Sequence, residues 1–318
     1  MKISVIGCGR WGSFITWYLS RQGHCVVEYG REDGASYQIL KTTGKNKYVT
    51  LDKSVKLTSN LSDVLNSEII VISILSQSLR DVVTNLVKLG LKDQKVVLCM
   101  KGLEVESGKR LSEVAIECGI DKNNLAVWLG PGHIEEFVLG KPNCMVIDSH
   151  SLELTKFLAD NLRSNLIRFY YGDDIIGNEI GAASKNVFGI AAGMLDGGGF
   201  TTLKGSLMAR GAREISRLIG KMGGLEHSAY GLCHLGDYET TLFSKYSRNR
   251  CFGEAYIKGE NFDMSAEGVE TVKALKKLGE VYQEELPITN AVYSILYENK
   301  EPIKTFNELF SRSSRTEF

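Results

Sequence analysis

The opening of the chain constrains its fold more than any other stretch. Lys2–Ile6 is a short apolar run, and it leads directly into Gly7-Cys8-Gly9-Arg10-Trp11-Gly12, a G-x-G-x-x-G motif. Trp11–Gln22 follows, with Phe14, Ile15, Tyr18 and Leu19 at helical spacing. A strand, a glycine turn and a helix in that order open a βαβ unit. Each glycine has a separate task there. Gly7 makes the tight turn, Gly9 lets backbone approach a pyrophosphate, and Gly12 lets helix and strand pack closely. The helix start offers unpaired N–H groups and the positive end of its dipole to phosphate oxygens. The motif by itself also occurs as a purely structural turn. Its place between a strand and a helix reads as a dinucleotide-binding loop.

The rest of the first half repeats the alternation. Cys25–Tyr29, Ile69–Ile74, Val96–Met100 and Leu125–Leu129 read as strands, and Leu79–Leu89 and Leu111–Cys118 as helices between them. Ile69–Ile74 is almost continuously apolar, as a strand buried on both faces of a parallel sheet must be. Cys144–Ile147 and Leu166–Tyr170 add strands at the far side. The fold class is α/β, an N-terminal Rossmann-type, doubly wound, mostly parallel sheet. Near Tyr171–Gly177 the pattern changes. Ile175–Leu195, Lys204–Met222, Ala266–Leu278, Thr289–Glu298 and Ile303–Phe310 all read as helices, an all-helical C-terminal domain. The 318 residues exceed what one core of roughly 250–300 residues holds, so two domains are expected. They are 1–176, binding the dinucleotide, and 177–318, helical and binding the substrate. Only the polar tail Ser311–Phe318 is expected to fray.

Composition excludes several classes. Lysine plus arginine and aspartate plus glutamate number 38 each, so the formal charge is zero. Nonspecific nucleic-acid binding needs an excess of positive charge, and no nucleic-acid partner is expected. The seven cysteines, at 8, 25, 99, 118, 144, 233 and 251, show no C-x-x-C spacing and no zinc-finger spacing with histidine. Reduced thiols, no metal and a cytoplasmic location are expected. No apolar run approaches the ~18 residues of a membrane helix, and the N-terminus reads as a first strand rather than a leader.

Further positions carry chemistry. After the second strand the chain reads Glu28-Tyr29-Gly30-Arg31-Glu32. Gly30 falls at the strand end with Arg31 next, where an arginine accepts a 2′-phosphate. Glu28 is then a strand residue, and Glu32 is the nearby acid for a ribose hydroxyl. The register leans to NADP(H) over NAD(H), with a solvated Arg31 as the other reading. Lys101 follows a strand directly, at the edge where open α/β sheets bind ligands, or is a surface lysine. Gly130-Pro131-Gly132 is a small-residue turn at the end of the next strand. Lys185 lies among small and apolar residues of a long helix, costly unless paired or functional, and desolvation there suits an acid–base lysine. A snorkelling lysine is the alternative. Asp237 sits in Leu235-Gly236-Asp237-Tyr238-Glu239-Thr240-Thr241. Ser247-Arg248-Asn249 packs phosphate-type donors, or forms a charged surface loop.

Taken together, these stretches resemble the bacterial type of the NAD(P)-dependent glycerol-3-phosphate dehydrogenase family. The resemblance rests on MKISVIGCGRWG, LCMKGLEVESGK, LGPGHIEEFVLGKPN, IGAASKNVFGIAAGMLDG, LGDYETT, SRNRCFG and LPITNAVYSILYENKEP, in the family's order along nearly the whole chain. It implies hydride transfer between NAD(P)H and dihydroxyacetone phosphate, giving sn-glycerol 3-phosphate for glycerophospholipid synthesis. It implies Lys185 as proton donor and acceptor, Lys101 on substrate and cofactor, and Asp237 holding Lys185. Thr241, Gly130 and Gly132 would lie at the substrate, and Ser247, Arg248 and Asn249 at its phosphate. Gly7, Gly9, Arg10, Trp11, Gly12, Arg31, Lys101, Ile134, Arg248 and Glu267 would line the cofactor. A homodimer is implied as well.

The chain departs from the family at particular places. Gly132 stands where the family commonly has serine or threonine, and His133 where it has phenylalanine. Tyr238 replaces a usual leucine. Phe243–Tyr246 lacks the usual proline-containing turn, and Phe200-Thr201-Thr202 lacks a glycine–aspartate pair. These changes keep two alternatives open. One is a reductase of the same fold acting on another phosphorylated or carboxylated ketone, and the other is a dinucleotide-binding protein without turnover.

Overall fold

In the computed structural model, which describes residues 1–313 and 316–317, the apolar runs of the first half pair into one eight-stranded sheet. Its strands are β1 Lys2–Ile6, β2 Cys25–Tyr29, β3 Lys56–Thr58, β4 Ile69–Ile72, β5 Lys95–Leu98, β6 Leu125–Leu129, β7 Asn143–Ser149 and β8 Ile167–Tyr171. The order is β3-β2-β1-β4-β5-β6-β7-β8. Strands β1 to β6 are parallel, β7 runs antiparallel to β6, and β8 parallels β7. The order reverses at β1, which lies between β2 and β4. That is the switch point at which such sheets bind ligands.

Helices α1 Arg10–Arg21, α2 Ala35–Thr43, α3 Leu79–Lys88, α4 Leu111–Glu117, α5 Ile134–Phe137 and α6 Leu152–Leu162 connect these strands. All four residues of β4 are fully buried, as the continuous apolar run predicts. β4 and β5 end two residues earlier than the apolar runs do; Ser73 and Cys99 still donate to the Ile6 and Ile72 carbonyls, at 2.9 and 3.0 Å, and Ile74 and Met100 lie beyond them at the carboxyl edge. β3, α2, α5 and α6 are not among the elements read from the sequence. β3 is three residues long, and α2 buries only Tyr37 and Leu40, too little for a visible apolar stripe.

The chain divides into two compact units. Met1–Lys101 with Lys109–Glu179 forms the first, and Gly102–Gly108 with Ile180–Phe318 the second. Gly102–Gly108 carries no sequence signal for the second unit, and a hydrogen bond from Lys277 Nζ to the Glu106 carbonyl, 2.7 Å, ties it there. Helices α7 Ile175–Gly197, α8 Lys204–Lys221, α9 Arg248–Lys258, α10 Glu267–Val281, α11 Pro287–Tyr297 and α12 Pro302–Phe310 follow β8, and no strand occurs after Tyr171 among the described residues. Of the tail expected to fray, Ser314, Arg315 and Phe318 lie outside the described residues.

Helix α7 is buried on every side from Glu179 to Leu195, the mark of a helix at the centre of its unit. Its glycines let neighbours reach its backbone. A Cβ at Gly193 would sit 1.9 Å from the Arg250 carbonyl oxygen, and one at Gly253 would sit 2.1 Å from that of Ile190. α7 and α9 therefore pack backbone to backbone. Glu214 of α8 caps α11 by accepting the N–H groups of Ile288 and Thr289, at 2.8 and 3.0 Å, and the Thr289 hydroxyl.

In the first unit, Glu179 is the buried anchor of α4. It pairs with Arg110 Nη1 at 2.7 Å and accepts the Ser112 N–H at 2.9 Å. Both side chains are nearly inaccessible to water, and the only other counter-charge beside them among the described residues is the half-exposed Glu113, 3.3 Å from Arg110 Nη2. Glu179→Ala is expected to lower the unfolding free energy by about 3 kcal/mol, the low end of the effect of breaking a buried pair, because Glu113 stays beside Arg110. Urea unfolding followed by circular dichroism checks this.

Candidate active site

The glycine loop is built by contacts the three glycines meet differently. Gly7 has φ +118°, and a Cβ there would lie 2.2 Å from the Ser73 carbonyl oxygen. A Cβ on Gly12 would lie 1.8 Å from that of Gly7. Protein packing alone therefore requires these two. A Cβ on Gly9 would meet nothing within 4 Å, so the loop surface there is open. Gly9 is the N-cap of α1, no side chain caps it, and the first turn carries no acidic residue. The exposed N–H groups fit an anion such as a pyrophosphate.

Around this loop, Arg10 pairs with Glu135 at 2.6 Å and lies over the Tyr48 ring. Trp11 packs its ring on Phe14 and Phe137. β2 ends at Tyr29, so Gly30 and Arg31 follow it in the order the sequence indicates. Arg31 is largely exposed and only 3.7 Å from Asp33, whereas Glu32 is engaged by Lys41 at 2.7 Å. Lys101 lies three residues beyond β5, and its Nζ donates to the Gly130 carbonyl at 2.6 Å. Ile134, the first residue of α5, is buried in the sheet's core. At Gly132 a Cβ would come 2.3 Å from Phe137 Cε2, so the Phe137 ring fills the space a serine or threonine needs.

In the second unit the sequence pair is joined. Lys185 Nζ sits 2.5 Å from Asp237 Oδ2 and donates to Thr241 Oγ1 at 2.9 Å, with both ionic side chains buried. Asp237 comes from a 3-10 turn, Leu235–Asp237, and its other oxygen accepts the Thr240 hydroxyl. Thr241 comes from the π-turn Glu239–Phe243, which turns it toward the lysine. Ser247 caps α9, accepting the Arg250 N–H at 3.3 Å, so Ser247–Gly253 opens a helix rather than forming a charged loop. Arg248 is the first residue of that helix and has no ion-pair partner among the described residues. Asn249 is committed internally. It donates to Asn186 Oδ1 at 3.0 Å and accepts the Gly268 N–H at 2.9 Å, beside Glu267 at the start of α10.

Two groups in this unit escape sequence reading. Lys204, buried, donates to Asp196 at 3.0 Å and to the Leu242 carbonyl, and Arg250 pairs with the same Asp196 at 2.6 Å. Arg250 lies within the donor-rich Ser247–Gly253 stretch, but Asp196 and Lys204 carry no motif. The other is His234. Its Nδ1 lies 2.9 Å from the Gly181 carbonyl and its Nε2 2.7 Å from the Tyr238 hydroxyl. The Gly181 carbonyl can only accept, which assigns the proton to Nδ1, and burial favours the neutral ring, whose Nε2 then accepts the Tyr238 hydroxyl.

Sheet order and glycine loop place the chain among the Rossmann-type dinucleotide-dependent dehydrogenases. Residues 2–155 match the family described as the NAD-dependent glycerol-3-phosphate dehydrogenase N-terminus, and residues 174–307 its C-terminus. A glycerol-3-phosphate dehydrogenase of Thermoanaerobacter sp. strain X514, named for NAD(P)+, is 35% identical over 328 residues, covering 100% of this chain and 99% of the relative. One from Fusobacterium nucleatum is 35% identical over 331 residues, covering 100% and 98%. The crystal structure of glycerol-3-phosphate dehydrogenase from Coxiella burnetii matches with TM-score 0.91 at 28% identity, over 98% of this chain and 99% of that one. The chain belongs to the NAD(P)-dependent glycerol-3-phosphate dehydrogenase family, a family of oxidoreductases.

Burial pushes the His234 pKa down to about 4. The unfolded chain then binds a proton at this residue between about pH 6.5 and 4 that the folded chain refuses, so folding loses stability as pH falls through that window. The shift is equivalent to about 3 kcal/mol. Thermal unfolding at pH 7, 6 and 5 is expected to show a shallower loss for His234→Gln, which cannot be protonated there, than for the wild type.

Proposed function

We propose that this protein reduces dihydroxyacetone phosphate reversibly to sn-glycerol 3-phosphate with NAD(P)H, supplying a precursor of glycerophospholipids. The observation that carries this reading is the buried Lys185–Asp237 pair, 2.5 Å long, with Thr241 as the third member. Residues 1–176 are assigned to the dinucleotide and residues 177–318 to the substrate, in a cytoplasmic homodimer.

The nicotinamide, when bound, supplies the hydride that reaches C2 of the substrate. The C2 oxygen takes the carbonyl electron pair, and Lys185 gives it a proton. In the reverse direction, neutral Lys185 accepts the hydroxyl proton. Asp237 holds the ammonium and orients it, in a place where water competes little. Lys101 is assigned to polarise the same carbonyl, with the Gly130 backbone fixing its ammonium. Arg248 and Ser247, at the start of α9, are assigned to the substrate phosphate, where helix N–H groups and a guanidinium act together. Asn249 supports them by tying α9 to Asn186 and to Gly268, beside Glu267. The loop Gly7–Gly12 is assigned to the pyrophosphate, and Arg10, Trp11, Ile134 and Glu267 to its surroundings. Arg31, exposed beyond β2 while Glu32 is held by Lys41, favours NADPH over NADH.

The test follows nicotinamide absorbance with dihydroxyacetone phosphate, using NADPH and NADH in parallel. Lys185→Ala is expected to lower kcat by about 1,000-fold or more with dinucleotide affinity kept, and Arg248→Ala to act mainly on KM. Turnover unchanged in Lys185→Ala would remove the assigned role. No turnover despite dinucleotide binding would point to another phosphorylated or carboxylated ketone, which a substrate panel identifies.

The loop assignment has its own check. Gly9→Ala is expected to leave the unfolding temperature of the unliganded protein unchanged, because its methyl meets no protein atom. It is expected to weaken dinucleotide binding about tenfold or more by keeping the phosphates off the backbone. Calorimetry and ligand titration read the two effects separately.

A further inference from the structure

Glu28 has no part in the reaction above, yet it lies against the loop assigned to the dinucleotide. In β2 it is in register with Val5 of β1 and Leu57 of β3, and it is completely buried. Its Oε1 is 3.1 Å from Ser13 Oγ on α1. Its Oε2 has no partner at hydrogen-bond geometry; burial, which disfavours the charged carboxylate, outweighs the Ser13, Cys8 and Thr16 donors around it that favour that form. No cation compensates it among the described residues. Arg10 is held by Glu135, Arg21 lies over the Trp17 ring, and Lys56 pairs with Asp63. Tyr37 of α2 packs in one cluster with Cys8. The Cys8 thiol is the titratable neighbour, and burial pushes its pKa up, so it stays protonated.

Proton counting decides what Glu28 does. Ser13 has one hydroxyl proton and two acceptors in range, Glu28 Oε1 and, at 3.2 Å, the carbonyl oxygen of Cys8. Cys8 stands between the first two glycines of the loop. Ionised Glu28 would capture the Ser13 proton and leave the Cys8 carbonyl without that donor. Protonated Glu28 donates to Ser13 Oγ, which passes its own proton on to Cys8. Only the protonated acid satisfies the whole chain.

We propose that Glu28 is a positioning residue that couples dinucleotide binding to its own protonation. Protonated, it fixes the loop through Ser13. Ionised, it releases the Cys8 carbonyl and sets an uncompensated charge under the phosphate-binding backbone. This inference rests on the loop being the dinucleotide site. Burial pushes the Glu28 pKa up to about 7, which puts the change within the working range of pH.

The test is NADH binding by nicotinamide fluorescence between pH 6.0 and 8.5. NADH is used because the 2′-phosphate of NADPH itself titrates near about pH 6. Wild-type Kd is expected to rise with pH, by up to about 30-fold if only the protonated form binds. Glu28→Gln keeps a donor for Ser13 without titrating, and its Kd is expected to stay within about twofold across the range. Glu28→Leu removes the titrating group altogether and is expected to be equally flat. Unliganded wild type is also expected to lose thermal stability relative to Glu28→Gln as pH rises from 5 to 8. The folded state holds a proton there that the unfolded chain has released. A flat wild-type Kd, or a wild-type slope kept in both variants, would overturn the proposal. Absence of NADH binding in every form at every pH would overturn the loop assignment, and the inference with it.

Discussion

A charge inside an apolar helix has to be answered nearby, and the pairing of Lys185 with Asp237 is the constraint from which most of the second unit follows. Removing an ammonium from water costs several kcal/mol unless a counter-charge is held in good geometry. The carboxylate comes from a 3-10 turn far along the chain, so that turn must be fixed against α7. His234 and Tyr238 flank Asp237 on either side and do this. The histidine reaches the Gly181 carbonyl, one helical turn before Lys185, and the tyrosine hydroxyl meets the histidine. A Cβ at Gly181 would come 2.9 Å from His234 Cβ, so a larger residue there would drive the turn away. The π-turn that follows brings Thr241 onto the lysine. Each of these features serves the same ion pair.

What was legible in the sequence was whatever leaves a one-dimensional trace. The glycine loop has fixed spacing, the buried strands are continuous apolar runs, and a lysine amid alanine, glycine and phenylalanine is conspicuous in any register. α2 and β3 left no trace because they bury little. Asp196, Lys204 and Arg250 come from α7, α8 and α9 and meet only where those helices pack, so neither motif nor periodicity joins them. The internal commitment of Asn249 is of the same kind. Its residue type suggested a ligand for phosphate, but both ends of its amide hold neighbouring helices. The Ser247–Gly253 stretch read equally as a charged loop because an N-cap serine and a loop serine look alike without the helix that follows.

The departures from the family pattern gain physical meaning in the same way. Gly132 is not an empty position, because the Phe137 ring occupies the volume a side chain would take. That ring stacks on Phe14 and lies against Trp11, so the change belongs to aromatic packing beside the glycine loop. Tyr238 likewise comes with His234, whose ring nitrogen accepts its hydroxyl. Neither departure leaves a polar group stranded. Both relocate packing while Lys185, Asp237 and Lys101 keep the partners described above.

The buried ionisable groups then sort by a single rule. Those with a counter-charge form ion pairs, as in Arg110–Glu179, Lys185–Asp237 and Lys204–Asp196–Arg250. Those without one are driven toward neutrality by burial. Glu28 and Glu214 are raised to about 7, Asp148 to about 6, and His234 is lowered to about 4. The two sets of shifts act in opposite directions on stability. The raised acids favour folding at low pH and lose that contribution as pH rises through their folded values. The histidine favours folding above about pH 6.5 and loses its contribution below. Among these four groups the three acids outnumber the histidine, whereas carboxylates that cations hold low despite burial, as Lys204 and Arg250 hold Asp196, favour folding at higher pH. The proton that Lys185 is assigned to give is therefore held in a site whose surroundings are either neutral or already matched, so that its field is set by Asp237 and Thr241 more than by the remaining buried groups.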